Sequence, residues 1–409
     1  MPPRARSAGT PSAALLEGVR ILDMATVLAA PFAATLCGDL GAEVTKLELP
    51  DGGDPLRRLA PVQDGHALWW KVANRGKRGI TLDVRKPAGR DLFLRLLPDV
   101  DVLVENFRPG TLDRWGLDLA TLRSANPALI VLRLSGFGQT GPLADQPGFA
   151  RVFEAMSGFA HLAGDPQGAP QHMNYPVGDV MAGVFGAFSI AAAVARRRAH
   201  PDEPPAELDL SATEALVRVL DALPVELERT GQARGRSGNR ATYTAPSNMY
   251  RTSDGVWMSL VASSDVIFAR LCRAMDQAAM AEDPRFSKML ARVANVDALD
   301  ASIAAWFART SAAAALAACG REGVPLARVA DVAAVTQDAH LLARDAFVRL
   351  PDPQLGSLPA PCAVPRMMGA APLPVPRTGP LPGEHNDAVW GALGLDAAAL
   401  DALRRDGVI

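Results

Sequence analysis

The sequence predicts an α/β protein with a doubly wound parallel sheet in a large domain and a separate, smaller α+β domain. From Gly18 onward, short apolar runs alternate with helical patterns, as in βαβ units. A chain of 409 residues exceeds what one hydrophobic core normally serves, and near residue 241 a strand pair precedes alanine-rich helices. We therefore expect a large domain at 15–225, a small domain at 226–335 and a return segment at 336–409 that completes the large domain.

Strands and helices of the first half follow in regular alternation. Apolar and β-branched runs predict the strands, and a glycine such as Gly41 ends a helical pattern. The predicted strands lie at 19–23, 43–48, 79–83, 100–105 and 129–134, and the predicted helices at 31–40, 87–97 and 119–125.

The second half contains one long glycine- and alanine-rich helix and then a change of pattern. We expect a buried helix from Asp179, then a strand at 208–211, a long helix at 212–229 and a linker at 231–240. Asp254-Gly255 is a good hairpin turn, so strands are predicted around 247–251 and 256–261. The stretch 350–382 is rich in proline, and a helix is expected at 395–404.

Composition and charge exclude several classes of protein. The formal net charge of −2 gives no reason to expect capture of nucleic acid or of an anionic membrane. Four distant cysteines form no CxxC pair, which argues against a zinc site or a disulfide framework and favours a reducing cytoplasm. The apolar stretch 180–195 ends in three arginines and suits a buried helix. Residues 1–14 are expected to form a loose tail.

Two loops near the start of the chain suggest ligand contacts. The turn Met24–Pro31 lacks the GxGxxG motif, so nicotinamide dinucleotide binding loses its main support. The segment Asn74–Gly79 places three cations within four residues. It is either a phosphate-binding loop or a solvated basic turn.

Two further loops follow predicted parallel strands. Glu105–Gly110 stands at the carboxyl end of a strand, where open α/β sheets bind ligands, and Arg114 adds a cation close by. The glycines of Ser135–Pro142 would let the backbone bend around a ligand. Bent loops with scattered cations suggest a ligand with several phosphates and an extended arm.

Asp179 has two compatible interpretations. Aspartate is a preferred helix N-cap, and a helix begins here. The positive end of a helix also favours a carboxylate, and a carboxylate in a buried, glycine-flanked position is able to attack an acyl thioester as a nucleophile.

Taken in order, these motifs resemble the class III CoA transferases, the group that includes formyl-CoA transferase, a carnitine CoA-transferase and the bile-acid-inducible F type. The likeness covers nearly the whole chain, and the order of the motifs is more specific than any one of them. The motifs stand at Val27–Pro31, Gly38–Val44, Lys46, Glu48, Gly53-Asp54, Asn74–Arg78, Glu105–Gly110, Ser135–Pro142, Gly178–Gly183, Arg236–Asn239, Asp283–Phe286, Gly323–Pro325, Gly383–His385 and Gly407–Ile409.

The resemblance implies a Rossmann-like large domain, an interlaced homodimer, and an active site between a large and a small domain. Asp179 matches the family's catalytic aspartate, which forms a mixed anhydride with the donor acyl group and then an aspartyl-CoA thioester. Acyl-CoA and a small carboxylic acid are the implied substrates, with no tightly bound cofactor, no metal, no nucleic acid and no membrane. The residues implied to hold coenzyme A are Val27, Ala29, Lys77, Asn106, Phe107, Arg108 and Arg114.

Three positions depart from the family pattern. Leu49 stands where many relatives have an arginine, which removes one presumed nucleotide contact. Residues 241–265 contain no counterpart of the glycine-rich loop of formyl-CoA transferase, which argues against formyl or oxalyl specificity. Glu154 stands where many members have glutamine, and it either contacts the acceptor or faces solvent.

Three other functions compete with CoA transfer. The α-methylacyl-CoA racemases resemble this family but exchange an α-proton with a His-Asp pair. Here Phe149-Ala150 occupies that place, unless His161 or His172 supplies the base. A nonenzymatic CoA-binding protein has no use for an acid beside the thioester, and a nicotinamide oxidoreductase lacks its phosphate-binding motif.

The sequence suggests the acids only indirectly. Succinyl-CoA as donor and a small dicarboxylate as acceptor are a hypothesis based on polar residues that are candidates for binding a distal carboxylate. These residues are Arg151, Gln171, His172 and Asn174.

Overall fold

The computed structural model describes residues 13–409. The expected tail at residues 1–14 therefore lies almost wholly outside the described residues. The chain forms two compact units. The first comprises the described residues up to Phe159 together with His172–Ala222 and Asp345–Ile409, and the second comprises Ala160–Gln171 and Leu223–Arg344.

The described residues contain thirteen strands. They are β1 (Arg20–Asp23), β2 (Glu43–Glu48), β3 (Val62–Gln63), β4 (His66–Ala67), β5 (Arg78–Thr81), β6 (Val102–Glu105), β7 (Ile130–Ser135), β8 (Glu207–Ser211), β9 (Ser247–Arg251), β10 (Trp257–Val261), β11 (Leu326–Arg328), β12 (Phe347–Asp352) and β13 (Gly356–Pro361).

Seventeen α-helices accompany them in the described part of the chain, besides short 3-10 turns. They are α1 (Ala29–Asp39), α2 (Leu68–Ala73), α3 (Pro87–Leu96), α4 (Thr111–Arg114), α5 (Leu119–Ala125), α6 (Ala150–Met156), α7 (Val177–Ala199), α8 (Ala212–Val219), α9 (Leu223–Thr230), α10 (Asp265–Ala274), α11 (Met289–Ala294), α12 (Val296–Ala308), α13 (Ala312–Glu322), α14 (Val332–Val335), α15 (Ala339–Ala343), α16 (Asn386–Ala392) and α17 (Ala397–Arg405).

The first unit is built on a six-stranded sheet in the order β5-β2-β1-β6-β7-β8. All five neighbouring pairs are parallel. Counted along this sheet alone, the order is 3-2-1-4-5-6, that of a Rossmann sheet, so the predicted doubly wound sheet is confirmed. In such sheets the strand order reverses between the first and fourth strands, here β1 and β6, and a crevice forms at their carboxyl ends.

Helices cover both faces of this sheet. Successive side chains of β6 point to opposite faces: Val102 and Val104 belong to a core with α1, α7 and α8, whereas Leu103 belongs to a core with α3, α5, α16 and α17. The helix α7 is long and apolar enough to cross a membrane by length and composition. In this fold α7 contributes to the first of these cores, as expected for a buried helix.

The second unit has its own core. Its sheet has the order β11-β10-β9 and is antiparallel, and the apolar faces of α10, α12 and α13 pack on it. The predicted strand pair around Asp254-Gly255 is confirmed, and Gly255 has the positive φ of +82° that the turn requires.

One prediction about secondary structure was wrong. The helix expected at 212–229 is two helices, α8 and α9, because Pro224 has no N–H to donate and is tolerated only in the first turn of a helix. The start of the proline-rich stretch 350–382, for which the sequence predicted no strands, forms the antiparallel hairpin β12–β13. Both strands of a two-stranded sheet are edge strands, which accept proline.

Candidate active site

A cleft opens at the carboxyl ends of β1, β2 and β6, where the strand order reverses. Its walls come from the segments that follow these strands, so the sheet itself positions the cleft. The lining includes Met24, Thr26, Leu47, Leu49, Phe107 and Trp115. Leu49, where many relatives have arginine, is thus a lining residue with an apolar side chain.

Buried charges hold the loop that follows β1. The backbone N–H of Val27 donates to both carboxylate oxygens of Asp54, at 3.0 and 3.1 Å, and the N–H of Ala25 donates to Asp23 Oδ1 at 3.1 Å. Lys46 Nζ lies 3.2 Å from Asp54 Oδ2 and 3.6 Å from Asp23 Oδ1, fully inside the fold. Val27 has a φ of +67°, a strained conformation for a β-branched residue that these contacts maintain.

Lys77 belongs to the same network. Its ammonium donates to Asp23 Oδ2 at 2.7 Å, to the carbonyl of Pro31 at 2.8 Å and to Asn74 Oδ1 at 2.9 Å, so all three of its donors are used within the protein. Burial lowers the pKa of Lys77 to about 8. This geometry makes Lys77 a support for the start of α1.

The other cations of the basic loop also have protein partners. Arg75 forms an ion pair with Asp39, and Arg78 lies 3.7 Å from Glu43. The sequence left two interpretations open for this loop, a phosphate site and a solvated turn. Arg75 and Lys77 are paired with carboxylates inside the fold, whereas Arg78 and its partner Glu43 are 50% and 62% exposed.

The loop after β6 is tied to the loop after β1. The N–H of Thr26 donates to Asn106 Oδ1 at 2.8 Å, and Asn106 Nδ2 donates to the carbonyl of Thr26 at 2.7 Å. Phe107 packs edge-on against Trp115, with ring centroids 5.0 Å apart. These contacts fix both walls of the cleft relative to each other.

Two exposed arginines stand on the turn that follows. Gly110 has a φ of +71° and caps the short helix α4, and the exposed Arg108 and Arg114 stand on either side of it in the sequence. Arg114 Nη2 donates to Thr111 Oγ1 at 2.8 Å, and neither arginine forms an ion pair with any residue at 13–409. Their positive charge is therefore available to an anion.

Asp179 lies in the first turn of α7. The interpretation of Asp179 as the N-cap was wrong, because the helix begins at Val177 and Pro176 holds the cap position. A carboxylate at the third helical position still lies near the positive end of the helix. No residue in the described part of the chain donates a hydrogen bond to it.

Glycines of α7 place Asp179 beside the first loop. A Cβ on Gly183 would lie 2.8 Å from the carbonyl oxygen of Ala29, and one on Gly186 would lie 2.8 Å from Ala33 Cβ. The backbones of α7 and α1 therefore approach closely. Val180 packs with Val27 in a small apolar cluster, so Val27, Ala29 and Asp179, predicted from distant parts of the sequence, come together.

Glycines also position α6. A Cβ on Gly136 or on Gly148 would lie within 2.5 Å of the Phe153 ring, so these glycines admit that ring. In the loop Ser135–Pro142, whose glycines would let the backbone bend around a ligand, Gly136 packs against α6. The next residue, Glu154, is thereby held beneath the start of α7.

Glu154 joins the start of α7 to a histidine. It is only 1% exposed. Its Oε1 accepts from the N–H of Gly178 at 3.0 Å, and its Oε2 lies 2.7 Å from His172 Nδ1. Of the two interpretations of Glu154, solvent contact is wrong, because both oxygens are engaged inside the fold. Burial, followed by the negative charge of Glu154, raises the pKa of Asp179 to about 6.

Comparison with known proteins identifies the family. Residues 16–386 match the model of CoA-transferase family III. The chain belongs to CoA-transferase family III. It is 40% identical to succinyl-CoA–D-citramalate CoA-transferase of Chloroflexus aurantiacus, over 95% of this chain and 97% of the relative. It is 36% identical to the beta subunit of succinyl-CoA–L-malate CoA-transferase of the same organism, over 98% of this chain and 100% of the relative.

A solved structure agrees with this assignment. The crystal structure of a CAIB/BAIF family protein from Brucella suis matches with a TM-score of 0.81 and 31% identity, over 93% of this chain and 100% of that chain. The function predicted from the sequence, transfer of CoA between an acyl-CoA and a carboxylic acid, is confirmed at this level.

The family III CoA-transferase also has site features that sequence reasoning missed. The buried charges of Asp23, Lys46 and Asp54 were not recognised as one network, although Asp23 and Lys46 both stand near strand ends. The pairing of His172 with Glu154 was also missed, because the two residues are 18 positions apart with irregular chain between them. The one sequence feature that could have indicated the Asp23–Lys46–Asp54 network is the position of charged residues near the ends of neighbouring strands.

Proposed function

We propose that this CoA-transferase works through a covalent intermediate on Asp179, with succinyl-CoA as donor and a small dicarboxylate as acceptor. The observation that carries the proposal is the state of Asp179 itself. Its pKa is raised to about 6, so the carboxylate is mainly ionised at neutral pH. It is poorly solvated and receives no hydrogen bond from any described residue, which leaves its lone pairs free for attack.

The proposed steps balance at each stage. An oxygen of Asp179 attacks the thioester carbon of the donor and expels CoA thiolate, which forms a mixed anhydride. The thiolate then attacks the Asp179 carbonyl and releases the donor acid, leaving an aspartyl-CoA thioester. The acceptor carboxylate attacks this thioester, and the released thiolate attacks the acceptor side of the new anhydride. The products are the acceptor acyl-CoA and free Asp179.

The cleft where the strand order reverses is the proposed place for the CoA nucleotide. Arg108 and Arg114 are exposed and unpaired in ionic terms, so we assign them to its phosphates. Asn106 and Phe107 form one wall. Val27 and Ala29 line the path from this cleft toward Asp179 and would hold the pantetheine arm with their backbone.

Lys77 is not assigned to a direct contact with CoA. A phosphate ligand needs a donor that is free in the unliganded protein, and the ammonium of Lys77 has none. We therefore propose that Lys77 acts on CoA only indirectly, by holding Asp23 and the carbonyl of Pro31 under the loop that contacts the cofactor arm.

The names of the relatives support the proposed acids. Both relatives described above are named for succinyl-CoA, and their acceptors are D-citramalate and L-malate. Each of these acids carries a second carboxylate. Arg151, on the exposed side of α6, and Asn174 remain candidates for contacting it, whereas Gln171 belongs to the second unit.

We also propose a homodimer in the cytoplasm. The helix α7 exposes Val184 and Phe188, at 44% and 70%, one turn apart on one side. Apolar side chains clustered on a helix face usually pack against a partner, and a second copy of this chain is the proposed partner. The four cysteines among the described residues are free thiols, which suits a reducing compartment.

Hydroxylamine tests the covalent intermediate. With acyl-CoA present, it should convert Asp179 to a hydroxamate and inactivate the enzyme, because anhydrides and thioesters react with it and a free carboxylate does not. Mass spectrometry of the peptide that contains Asp179 measures the product. Full activity of Asp179→Ala would refute the mechanism, and omission of acyl-CoA is the control.

Proton exchange at the α-carbon is the alternative chemistry. It needs a base opposite Asp179, and His172 is the histidine of the first unit that lies close to the start of α7, through Glu154. His161 belongs to the second unit, where its ring lies 3.5 Å from Arg236. Deuterium incorporation from heavy water into acyl-CoA without any acceptor acid would favour the racemase over the transferase.

A further inference from the structure

His172 is linked through Glu154 to the start of α7, where Asp179 stands. Glu154 binds the N–H of Gly178, the residue before Asp179, with one oxygen and His172 Nδ1 with the other. Two hydrogen bonds and the width of one carboxylate thus separate the imidazole from the backbone of the catalytic turn. We infer that His172 binds the distal carboxylate of the dicarboxylic acid while its other carboxyl group reacts at Asp179. This inference rests on the proposed function and assigns a specificity residue to it.

The contact with Glu154 determines which edge of the imidazole is free. A carboxylate at Nδ1 keeps a proton on that nitrogen, so Nε2, on the opposite edge of the ring, is left for a ligand. The side chain of His172 is 28% exposed, and no residue described in the structure binds Nε2. Glu154 therefore fixes the orientation of the ring, and the Nε2 edge points away from Glu154.

Charge explains why a cation is needed at this position. Asp179 and Glu154 are both carboxylates, and Glu154 already raises the pKa of Asp179. A dicarboxylate brings a further negative charge into the same place, which is unfavourable unless a positive group neutralises it. The ring of His172, held by Glu154, supplies that charge when both of its nitrogens carry a proton, and its Nε2–H would then donate a charge-assisted hydrogen bond to the distal carboxylate.

Arg151 is the competing cation. It lies three residues before Glu154 on α6 and is exposed, and no contact with a described residue orients its guanidinium. Exposed and flexible ion pairs contribute little free energy, whereas a group held by a buried partner loses less entropy on binding. The geometry therefore favours His172 as the group that distinguishes a carboxylate from a methyl group.

The first half of the reaction tests this inference without any acceptor. Succinyl-CoA and butyryl-CoA have acyl chains of equal length and differ in that succinyl-CoA ends in a carboxylate. The rate of hydroxamate formation at Asp179 is measured for both, in the wild type and in His172→Gln. Glutamine retains a polar side chain for Glu154 but cannot carry a positive charge.

We expect His172→Gln to lower kcat/KM for succinyl-CoA roughly 10- to 100-fold, the range expected when a charge-assisted contact is lost. The value for butyryl-CoA should change less than about twofold. The matched control is His200→Gln. His200 lies at the other end of α7, and its ring is 3.7 Å from Glu203. It is therefore also a histidine beside a glutamate, but far from Asp179, and its replacement should leave the rates with both donors unchanged.

Two results would overturn the inference. Equal losses with both donors would show that His172 supports the fold of the site or contacts the reacting carboxyl group. Unchanged rates with both donors would show that it contacts neither. Failure of the proposed function is a separate result, because then neither donor would label Asp179 in the wild-type protein.

Discussion

At the scale of single residues, two effects act on Asp179 in opposite directions. The positive end of α7 stabilises a carboxylate, whereas burial and Glu154 destabilise it. The raised pKa of about 6 means that the destabilising effect of burial and of Glu154 on the carboxylate is larger than the stabilising effect of the helix end. The expectation that the helix start keeps Asp179 ionised was therefore incomplete, since the residue is ionised at neutral pH despite a penalty.

This penalty predicts a pH-dependent gain in stability for Asp179→Asn. The unfolded chain ionises Asp179 near its ordinary pKa of 3.8 and the folded chain near 6. The wild type therefore loses stability as pH rises between these values and carries the full penalty above 6. At pH 7.5 we expect the inactive asparagine variant to be more stable by on the order of 1–2 kcal/mol.

Urea denaturation of both proteins at several pH values measures this difference. It should shrink as the pH falls from 7.5 to 5, because the wild-type carboxylate becomes protonated in that window. A less stable asparagine variant at pH 7.5 would show instead that the helix terminus outweighs burial.

At the scale of elements, the contact of α7 with α1 places Asp179, the proposed nucleophile. Gly183 and Gly186 allow the two backbones to meet at Ala29 and Ala33, and one turn earlier on α7 stands Asp179. The two helices approach closely because glycine has no side chain. The position of Asp179 relative to the loop after β1 depends on this short distance.

We expect Gly183→Ala to destabilise the protein by about 1–3 kcal/mol and to lower kcat. The new methyl group would meet a backbone carbonyl that has no freedom to rotate away. Gly391→Ala in α16 is the control, because no atom lies within 4 Å of its Cβ position, and alanine there should be neutral or slightly stabilising.

Thermal unfolding and steady-state kinetics measure both effects. Equal behaviour of the two variants would contradict the role assigned to the approach of α7 and α1.

At the scale of the whole molecule, the order of strands in the sheet determines where the cleft lies. The reversal between β1 and β6 opens the cleft, and the loops after these strands hold each other through Asn106 and Thr26. Residues that are far apart in the chain become neighbours because parallel strands all end at one edge.

The proposed homodimer predicts a change of mass in Phe188→Glu. A charge at a position that packs against a second copy would be buried without a partner, so we expect monomers at concentrations where the wild type is dimeric. Light scattering coupled to size-exclusion chromatography measures the mass. Leu290→Glu, at a side chain that is 75% exposed on α11, is the control and should leave the mass unchanged. A monomeric wild type would refute the proposal.

Local patterns predicted most elements of the first unit. The strand β2 has the predicted bounds, and β1, β5, β6 and β7 differ from the prediction by one or two residues at either end, because strongly apolar runs between turns leave little choice. The β12–β13 hairpin was missed because its prolines resemble those of a loop, and pairing with a neighbouring strand is not visible in one segment.

The sequence by itself determined the α/β class, the order of the motifs and the family, since these depend on local periodicity and on residue types in a fixed order. Only the tertiary structure decided what the charged residues do. Lys77 meets Asp23 across 54 positions, and Glu154 reaches both His172 and Gly178. Whether a charge is free for a ligand or used within the protein depends on partners that folding brings close, and a sequence does not show those distances.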